Sequence, residues 1–312
     1  MGKVAFLLSG QGSQKPGMGA TLFGVPEIDE VFCEASDACG FDVAAACLDE
    51  TGDLLADTAV AQPALCALSI AQARALVERG VKPDYVAGFS LGQMGALAVS
   101  GMLDAKTVFS LVRDRSRVMA EACGLRLGSM CALMGGAEEE VRDVCSSCAE
   151  GDVLVPANFN ASGQIVVSGD AAAVARAKEA WSGPGRRSAM LATAGAFHSP
   201  LMQPAAEAFS ACLEGVVFDE PKIPLVCNVD ARPLRADDAA AHLVAHLTSP
   251  VLFSQSVAWL VEQGVDTFVE CGTGGVLVGL VRRVDKSAVR MRIESREDLE
   301  TVVEKLAETQ DA

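Results

Sequence analysis

Apolar and polar positions alternate along the chain in blocks that predict strands and helices in turn. Short apolar runs at 4–9 and 85–87 indicate buried strands, while longer segments at 28–39 and 62–79 are typical of helices. Pro63 lies near the expected start of the second helix, where its fixed φ is tolerated. Strands that alternate with helices favour a parallel sheet covered by helices, so we expect an α/β fold.

The rhythm changes between residues 129 and 193. Two strands form a hairpin around the turn at 160–163, and helices separate them from a strand on either side. The elements expected here are a strand at 130–134, a helix at 137–148, strands at 153–158 and 164–168, a helix at 171–181 and a strand at 188–192. This β-α-β-β-α-β order predicts a ferredoxin-like unit. We therefore expect a small domain over 128–194, inserted into a large domain made of 1–127 and 195–312.

The large domain resumes with a helix from Ser199-Pro200 to about Leu213, with Ser199 as its N-cap. Strands at 225–228 and 267–270 follow. These elements complete the expected sheet.

The stretch Gly88-Phe89-Ser90-Leu91-Gly92 lies between an expected strand and an expected helix. In a G-x-S-x-G turn of this kind, the glycines allow a sharp bend that lifts the serine above the sheet edge, at a helix N-terminus. This context predicts that Ser90 is a nucleophile. The five-residue pattern also occurs in Gly-rich turns without any catalytic role.

An arginine interrupts the apolar face of a helix expected after Asp104. Val108, Leu111, Arg115 and Met119 recur at three- and four-residue spacing and share one face. A buried guanidinium needs an anionic partner, because an unpaired buried charge is costly. The partner is either a ligand or an internal carboxylate, unless the side chain extends to water.

Three histidines are available as a general base for the serine. His198 lies just before a helix cap, where a side chain can project from a loop, and we predict that it is the base. His242 and His246 lie one helical turn apart, but the glutamate of an H-E-x-x-H metal site is absent between them. We expect no metal there.

Composition and net charge limit the classes of partner that the protein is expected to bind. A net charge of −16 over 312 residues argues against nucleic acid and anionic membranes. The eleven cysteines show no pairing pattern, which indicates reduced thiols, and Cys145 and Cys148 are expected to pack on a helix face. No apolar run is long enough for a signal peptide or a bilayer crossing, so we expect a cytoplasmic protein.

Several short motifs carry a family resemblance in their order and spacing. They are Gly10-Gln11-Gly12-Ser13-Gln14, Gln62-Pro63-Ala64, Gly88-Phe89-Ser90-Leu91-Gly92, Arg115, Asn158-Phe159-Asn160, Phe197-His198-Ser199-Pro200 and Glu270-Cys271-Gly272-Thr273-Gly274. Together they resemble the malonyl-CoA:acyl carrier protein transacylases of bacterial fatty acid synthesis, over nearly the whole chain. No single motif is as specific as the combination.

The resemblance implies an α/β-hydrolase-like large domain with a parallel sheet, plus an inserted ferredoxin-like small domain. It implies Ser90 as nucleophile and His198 as base. It also implies an oxyanion hole formed by the backbone N–H groups of Gln11 and Leu91. By the same resemblance, Arg115 binds the malonyl carboxylate. A backbone carbonyl at or near His246, where the family typically has glutamine, orients the catalytic histidine.

The resemblance further implies malonyl-CoA and acyl carrier protein as partners, and an acyltransferase without a metal or redox cofactor. We expect a monomer. Phe197-His198 matches related acyltransferases that take malonyl rather than methylmalonyl. Two positions depart from the family: Phe89 replaces the usual histidine before the nucleophile, and Gln93 replaces a usual glutamate.

Two other functions use the same residues. A serine esterase or thioesterase would need an acidic triad member, for which the sequence offers no clear residue. A non-catalytic acyl-CoA binder is the second, encouraged by Phe89. Docking of an acidic carrier protein would need local basic residues, and the candidates are Arg186-Arg187 and Arg282-Arg283-Lys286.

Overall fold

A computed structural model describes residues 2–310, which form nine strands and twelve α-helices. The strands are β1 (Lys3–Leu8), β2 (Tyr85–Gly88), β3 (Gly128–Met134), β4 (Leu154–Ala161), β5 (Gln164–Asp170), β6 (Arg187–Met190), β7 (Leu225–Val226), β8 (Val265–Cys271) and β9 (Val289–Arg292).

The helices alternate with the strands over much of the described chain. They are α1 (Pro26–Cys39), α2 (Val43–Leu48), α3 (Thr58–Glu78), α4 (Gly92–Ser100), α5 (Ala105–Leu125), α6 (Glu138–Ala149), α7 (Ala171–Ala180), α8 (Gln203–Cys212), α9 (Ala239–Ala245), α10 (Phe253–Glu262), α11 (Val276–Val284) and α12 (Arg296–Gln310). Short 3₁₀ turns lie at Leu54–Ala56, Pro200–Met202 and Ala236–Asp238.

The larger sheet has the order β7-β2-β1-β8-β9, and all of its strand pairs are parallel. Alternate residues of the central strand β1 enter different cores: Phe6 and Leu8 join one, whereas Ala5 and Leu7 join the other. A strand buried on both faces is the pattern expected of a parallel sheet covered by helices. The predicted α/β class and parallel sheet are therefore confirmed.

The smaller sheet is antiparallel and has the order β4-β5-β3-β6. Its elements follow one another as β3-α6-β4-β5-α7-β6, which is the predicted ferredoxin-like sequence. It has a core of its own, in which Val167 and Trp181 are buried. We keep the division into 1–127 plus 195–312 and 128–194 as a proposal.

One expected helix start is wrong. Helix α3 begins at Thr58 rather than Gln62, because the Asp57 side chain caps it by accepting a hydrogen bond from the Ala59 N–H. Pro63 is consequently inside the helix and not at its start. The predicted cap at Ser199 is present, since its side chain accepts the Leu201 N–H; the first helical residues, Pro200–Met202, form a 3₁₀ turn that α8 continues from Gln203.

Helix α3 is also the one described helix that is long and apolar enough to cross a membrane by length and composition alone. Its most apolar window is 83% buried inside the fold. That position is typical of the central helix of a globular core.

Candidate active site

The loops after β1 and β2 meet at the carboxyl edge of the larger sheet. Ser90 follows β2 by two residues, and its backbone has a φ of 52°, in the left-handed region. A Cβ on Gly88 would lie 1.9 Å from the Gly92 carbonyl carbon, and one on Gly92 would lie 2.0 Å from the Leu8 oxygen. The turn therefore excludes side chains at both glycines, as the sequence predicts.

Ser90 and His198 are in direct contact. The distance from Ser90 Oγ to His198 Nε2 is 2.7 Å, and His198 Nδ1 lies 2.9 Å from the backbone oxygen of His246. Because a carbonyl only accepts, Nδ1 must carry the proton of that hydrogen bond. Nε2 is then the lone-pair nitrogen that faces the serine hydroxyl, which is the arrangement of a general base.

The pKa of His198 is lowered to about 4, mainly by burial and then by the positive charge of Arg115. Its hydrogen bond to the His246 carbonyl acts in the opposite direction. The imidazole is therefore neutral near pH 7 and able to accept a proton.

The side chain of His246 is a separate feature from its carbonyl. Its ring lies 5.1 Å from the ring of His198, is buried, and has an Nε2 without a hydrogen-bond partner among the described residues. Burial lowers its pKa well below the usual range. The ring is therefore neutral and adds no charge beside the base.

The backbone N–H groups of Gln11 and Leu91 are the oxyanion donors that the resemblance implies; Gln11 lines the same cavity as Ser90, and Leu91 directly follows the serine. The Ser90 N–H donates to Asn228 Oδ1 at 2.8 Å, whereas those of Gln11 and Leu91 have no acceptor within residues 2–310. Leu91 directly precedes α4, so the helix dipole also favours negative charge there. The structure thus leaves free the two donors that the resemblance implies.

Arg115 is 1% exposed on α5 and has no carboxylate partner among the described residues. Its Nη1 donates to Gln62 Oε1 at 2.6 Å, while its buried Nη2 has no partner in this part of the chain. Burial lowers its pKa to about 10, so the guanidinium is still charged at pH 7. Neither a carboxylate among the described residues nor exposure at the protein surface satisfies this charge, which favours a ligand anion.

Two glutamine side chains connect this arginine to the loop after β1, which carries Gln11. Gln62 Nε2 donates to Gln11 Oε1 at 3.1 Å, and Gln11 Nε2 donates to Thr58 Oγ1 at 3.1 Å. Gln62 belongs to one of the motifs that carry the resemblance, but its sequence position alone indicates no role for its side chain. A glutamine within a strongly apolar helix is the signal that could have identified it.

Ser90, His198 and Arg115 line one cavity of about 70 Å³, together with Gln11 and Asn158. A second cavity of about 160 Å³ contains Asn160 and the buried Glu270, and Phe89 and Gln11 line both. Phe89 also packs edge-on against Phe253 at 5.4 Å. The larger groove of about 690 Å³ between α8 and α9 has no histidine or arginine in its lining and offers no comparable chemistry.

Metal-ligating side chains gather elsewhere. Within the described residues, Cys227, Asp230 and His242 have donor atoms within 4.8 Å of one another. His242 Nε2 lies 3.3 Å from Asp230 Oδ2, and burial raises the pKa of the Cys227 thiol to about 11, which opposes the thiolate that a metal would need. His246, which directly follows α9, is not in this group.

Known proteins resemble this chain over nearly its full length. The acyl transferase domain family matches residues 5–306. A malonyl CoA-acyl carrier protein transacylase of Bacillus subtilis is 36% identical over 315 residues, covering 100% of this chain and 99% of the relative. One from Staphylococcus aureus is 35% identical, covering 96% of this chain and 98% of its own length.

Solved structures show the same fold. The malonyl-CoA:acyl carrier protein transacylase of Xanthomonas oryzae has a TM-score of 0.94 at 38% identity, with 98% of each chain covered. A malonyl-transacylase in complex with its type II PKS acyl carrier protein has a TM-score of 0.93 at 36% identity, covering 97% of this chain and 99% of that one. The two-sheet architecture is therefore shared over almost the full length.

Proposed function

The chain belongs to the malonyl-CoA:acyl carrier protein transacylases within the acyl transferase domain family, and from this premise we propose its reaction. It transfers the malonyl group of malonyl-CoA to the phosphopantetheine thiol of acyl carrier protein. The enzyme is an acyltransferase, and a malonyl ester of Ser90 is the intermediate.

One observation carries the substrate assignment. The Ser90–His198 pair shares its cavity with Arg115, whose buried Nη2 has no partner in the described chain. A serine and a base suffice for many acyl groups. The additional unsatisfied guanidinium selects an acyl group that ends in a carboxylate, because a carboxylate accepts two parallel N–H bonds from arginine.

In the first half-reaction, His198 Nε2 takes the proton of Ser90 as Oγ attacks the thioester carbonyl. The N–H groups of Gln11 and Leu91 hold the developing oxyanion, and each such donor contributes about 3 kcal/mol in comparable sites. The C–S bond then breaks, and CoA leaves with the proton from His198. The product is malonyl-Ser90.

The second half-reaction reverses these steps with another thiol. The phosphopantetheine thiol gives its proton to His198 and attacks the ester carbonyl, and Ser90 leaves with the proton. His198 returns each proton that it takes, so Ser90, His198 and the two backbone N–H donors are sufficient for both half-reactions. We propose on this ground that no metal or redox cofactor takes part.

Transfer competes with hydrolysis of the ester. A hydrolase would be favoured by a carboxylate on His198 Nδ1, but the His246 carbonyl occupies that nitrogen. The neutral His246 carbonyl therefore takes the place of the acidic triad member that a hydrolase would need, which favours transfer to a thiol over hydrolysis. We further propose a cytoplasmic monomer that supplies fatty acid synthesis.

The predicted basic residues differ in their availability for carrier docking. Arg186 is paired with Glu140 and lies over the Trp181 ring, and Arg283 binds Gln164 and Ser162. Arg282 and Lys286 are exposed near the small domain. We propose that they contribute to docking.

Reversing the charge of Arg282 and Lys286 together is expected to raise the carrier-protein KM and leave the malonyl-CoA KM unchanged. The exposed Lys106 at the start of α5, which is not among the docking candidates, serves as the control when it is changed to Glu. An unchanged carrier KM in the double variant would remove the docking assignment.

Intact mass after brief incubation with malonyl-CoA tests the function itself. We expect a malonyl adduct on Ser90 that disappears when holo carrier protein is added and reappears as malonyl-carrier. An adduct lost only to water would indicate a hydrolase. Absence of an adduct would indicate a chain that binds acyl-CoA without turnover.

A further inference from the structure

Asn228 lies 138 positions after Ser90 in the sequence and contacts the nucleophile turn directly. It follows the short strand β7 and is 0% exposed. Its Oδ1 accepts the Ser90 N–H at 2.8 Å, and its Nδ2 donates to the Gly88 carbonyl at 2.7 Å. The amide therefore binds the backbone on both sides of Phe89.

The backbone that Asn228 holds is strained. Ser90 has a φ of 52°, which residues with a Cβ adopt only when the surroundings impose it. The adjacent glycines remove steric obstacles to this conformation, and the Gly92 N–H closes the turn by donating to the Phe89 carbonyl at 3.0 Å. The two side-chain hydrogen bonds of Asn228 hold the same turn from a distant part of the chain, on both sides of Phe89.

Asn228 is itself fixed from two directions. Its N–H donates to Gln93 Oε1 at 2.6 Å, and its carbonyl accepts the Leu252 N–H at 2.9 Å, just before α10. Gln93 lies in the first turn of α4, is 0% exposed, and has an Nε2 without a partner among the described residues. The Asn228 N–H is therefore the one hydrogen-bond partner of the Gln93 side chain among the described residues.

The hydrogen bond to the Ser90 N–H also decides which donors face the substrate. Because Asn228 occupies the Ser90 N–H, that group is unavailable to the oxyanion. The next N–H along the turn, that of Leu91, remains free. Rotation of the Ser90 peptide would alter the direction of the Leu91 N–H and the position of Ser90 Oγ together.

We propose that Asn228 is a positioning residue for the nucleophile. It acts through the Ser90 backbone to keep Oγ against His198 Nε2 and the Leu91 N–H toward the oxyanion. Gln93 supports it by holding the Asn228 backbone. The proposal rests on the proposed function only in that Ser90 is the group acylated.

The test compares Asn228→Ala with the parent in single-turnover acylation by malonyl-CoA, measured as CoA release. A small misplacement of reacting groups can cost about 100-fold in rate, and we expect a loss of that order. Binding of malonyl-CoA, measured with the same change in a Ser90→Ala background, should stay close to that of Ser90→Ala alone.

Gln72 provides a matched control. It is a buried amide on α3 whose Oε1 accepts the Gly272 N–H at 2.6 Å and whose Nε2 donates to the Gly272 carbonyl at 3.0 Å. Gln72→Ala therefore removes the same kinds of bond without touching the Ser90 turn. We expect a comparable fall in melting temperature but an acylation rate near that of the parent. Equal rate losses in Gln72→Ala and Asn228→Ala would overturn the proposal.

A second pair of variants covers the case in which Asn228→Ala does not fold. Gln93→Glu retains an acceptor for the Asn228 N–H, whereas Gln93→Leu does not, so acylation should be kept in the first and reduced in the second. Equal acylation rates in the two variants would overturn the support assigned to Gln93 and with it the proposal.

A fluorophosphonate that labels reactive serines separates this inference from the function. Its labelling rate should fall in Asn228→Ala and not in Gln72→Ala, even if malonyl-CoA proves not to be the substrate. Labelling at the parental rate in Asn228→Ala would overturn the proposal and leave the transacylase assignment intact.

Discussion

Replacing Arg115 by alanine should change which acyl group the site accepts. In the structure the guanidinium is buried, holds Gln62 with one nitrogen and has a second nitrogen without a partner in the described chain. Malonyl-CoA supplies a carboxylate for it, whereas acetyl-CoA does not. Loss of Arg115 therefore leaves the malonyl carboxylate buried and unpaired, whereas an acetyl group has no carboxylate that needs the guanidinium.

The magnitude follows from the cost of truncating one partner of a buried charge pair, about 2–5 kcal/mol. Since each 1.4 kcal/mol is a factor of ten, kcat/KM for malonyl-CoA should fall roughly 30- to 4,000-fold. The value for acetyl-CoA should fall far less, because its methyl group needs no countercharge. The acetyl-to-malonyl ratio should rise by the malonyl loss divided by the smaller acetyl loss, which is roughly 30- to 4,000-fold if the acetyl value does not change.

The assay measures kcat/KM for both acyl-CoA substrates with the same carrier protein. Arg115→Lys retains the charge but not the planar pair of donors, so its ratio should lie between those of parent and alanine variant. Arg113 lies on the same helix, half exposed and bonded to Asp114, and Arg113→Ala should leave the ratio unchanged. A ratio in Arg115→Ala equal to the parental one would refute the carboxylate role.

Further predictions concern pH, the second histidine and the turn. In the pH profile of kcat/KM for acetyl-CoA, the acidic limb of the parent should lie near the His198 pKa of about 4. In Arg115→Ala this limb should move toward 6.5, because loss of the arginine charge favours protonation of the base. A limb at the same pH in both proteins would contradict this prediction. His246→Gln keeps the backbone carbonyl that orients His198, so steady-state turnover should stay near that of the parent. A large loss of turnover would show that the imidazole ring of His246 also contributes to the reaction. Gly92→Ala should strongly lower the melting temperature, since its Cβ would lie 2.0 Å from a carbonyl oxygen. Gly124→Ala lies in open space on α5 and should raise the free energy of unfolding by up to about 1 kcal/mol. A higher melting temperature for Gly92→Ala than for Gly124→Ala would contradict the steric explanation.

Local patterns in the sequence were sufficient for the elements that depend on neighbouring residues. Asp104 caps α5 as expected, since its carboxylate accepts the Thr107 N–H three positions along. The strand, sharp turn and helix around Ser90 follow from two glycines and an apolar run. The start of α3 was misplaced because Pro63 suggested a helix start, while Asp57, five residues before the expected start, provides the actual cap.

Local sequence patterns do not predict hydrogen bonds between segments that are far apart in the sequence. The hydrogen bond from Asn228 to Ser90 joins residues 138 positions apart, and that from Arg115 to Gln62 joins residues 53 apart. Gln62, Gln93 and Asn228 are polar residues in apolar surroundings, which indicates a buried partner but does not identify it. The pairing of β7 with β2 brings Asn228 to the nucleophile turn, and the packing of α3 against α5 brings Gln62 to Arg115; a local sequence pattern contains neither.

The left-handed backbone at Ser90 limits which nucleophiles this fold can use. Threonine branches at Cβ, and a branched residue at a φ of 52° is a steric outlier, so the extra methyl group of Ser90→Thr would oppose the turn before any chemistry begins. Cysteine is unbranched and of similar size. The site could therefore move from an ester to a thioester intermediate by one substitution, but not to a secondary alcohol, so backbone torsion as well as acidity sets the range of nucleophiles open to this enzyme.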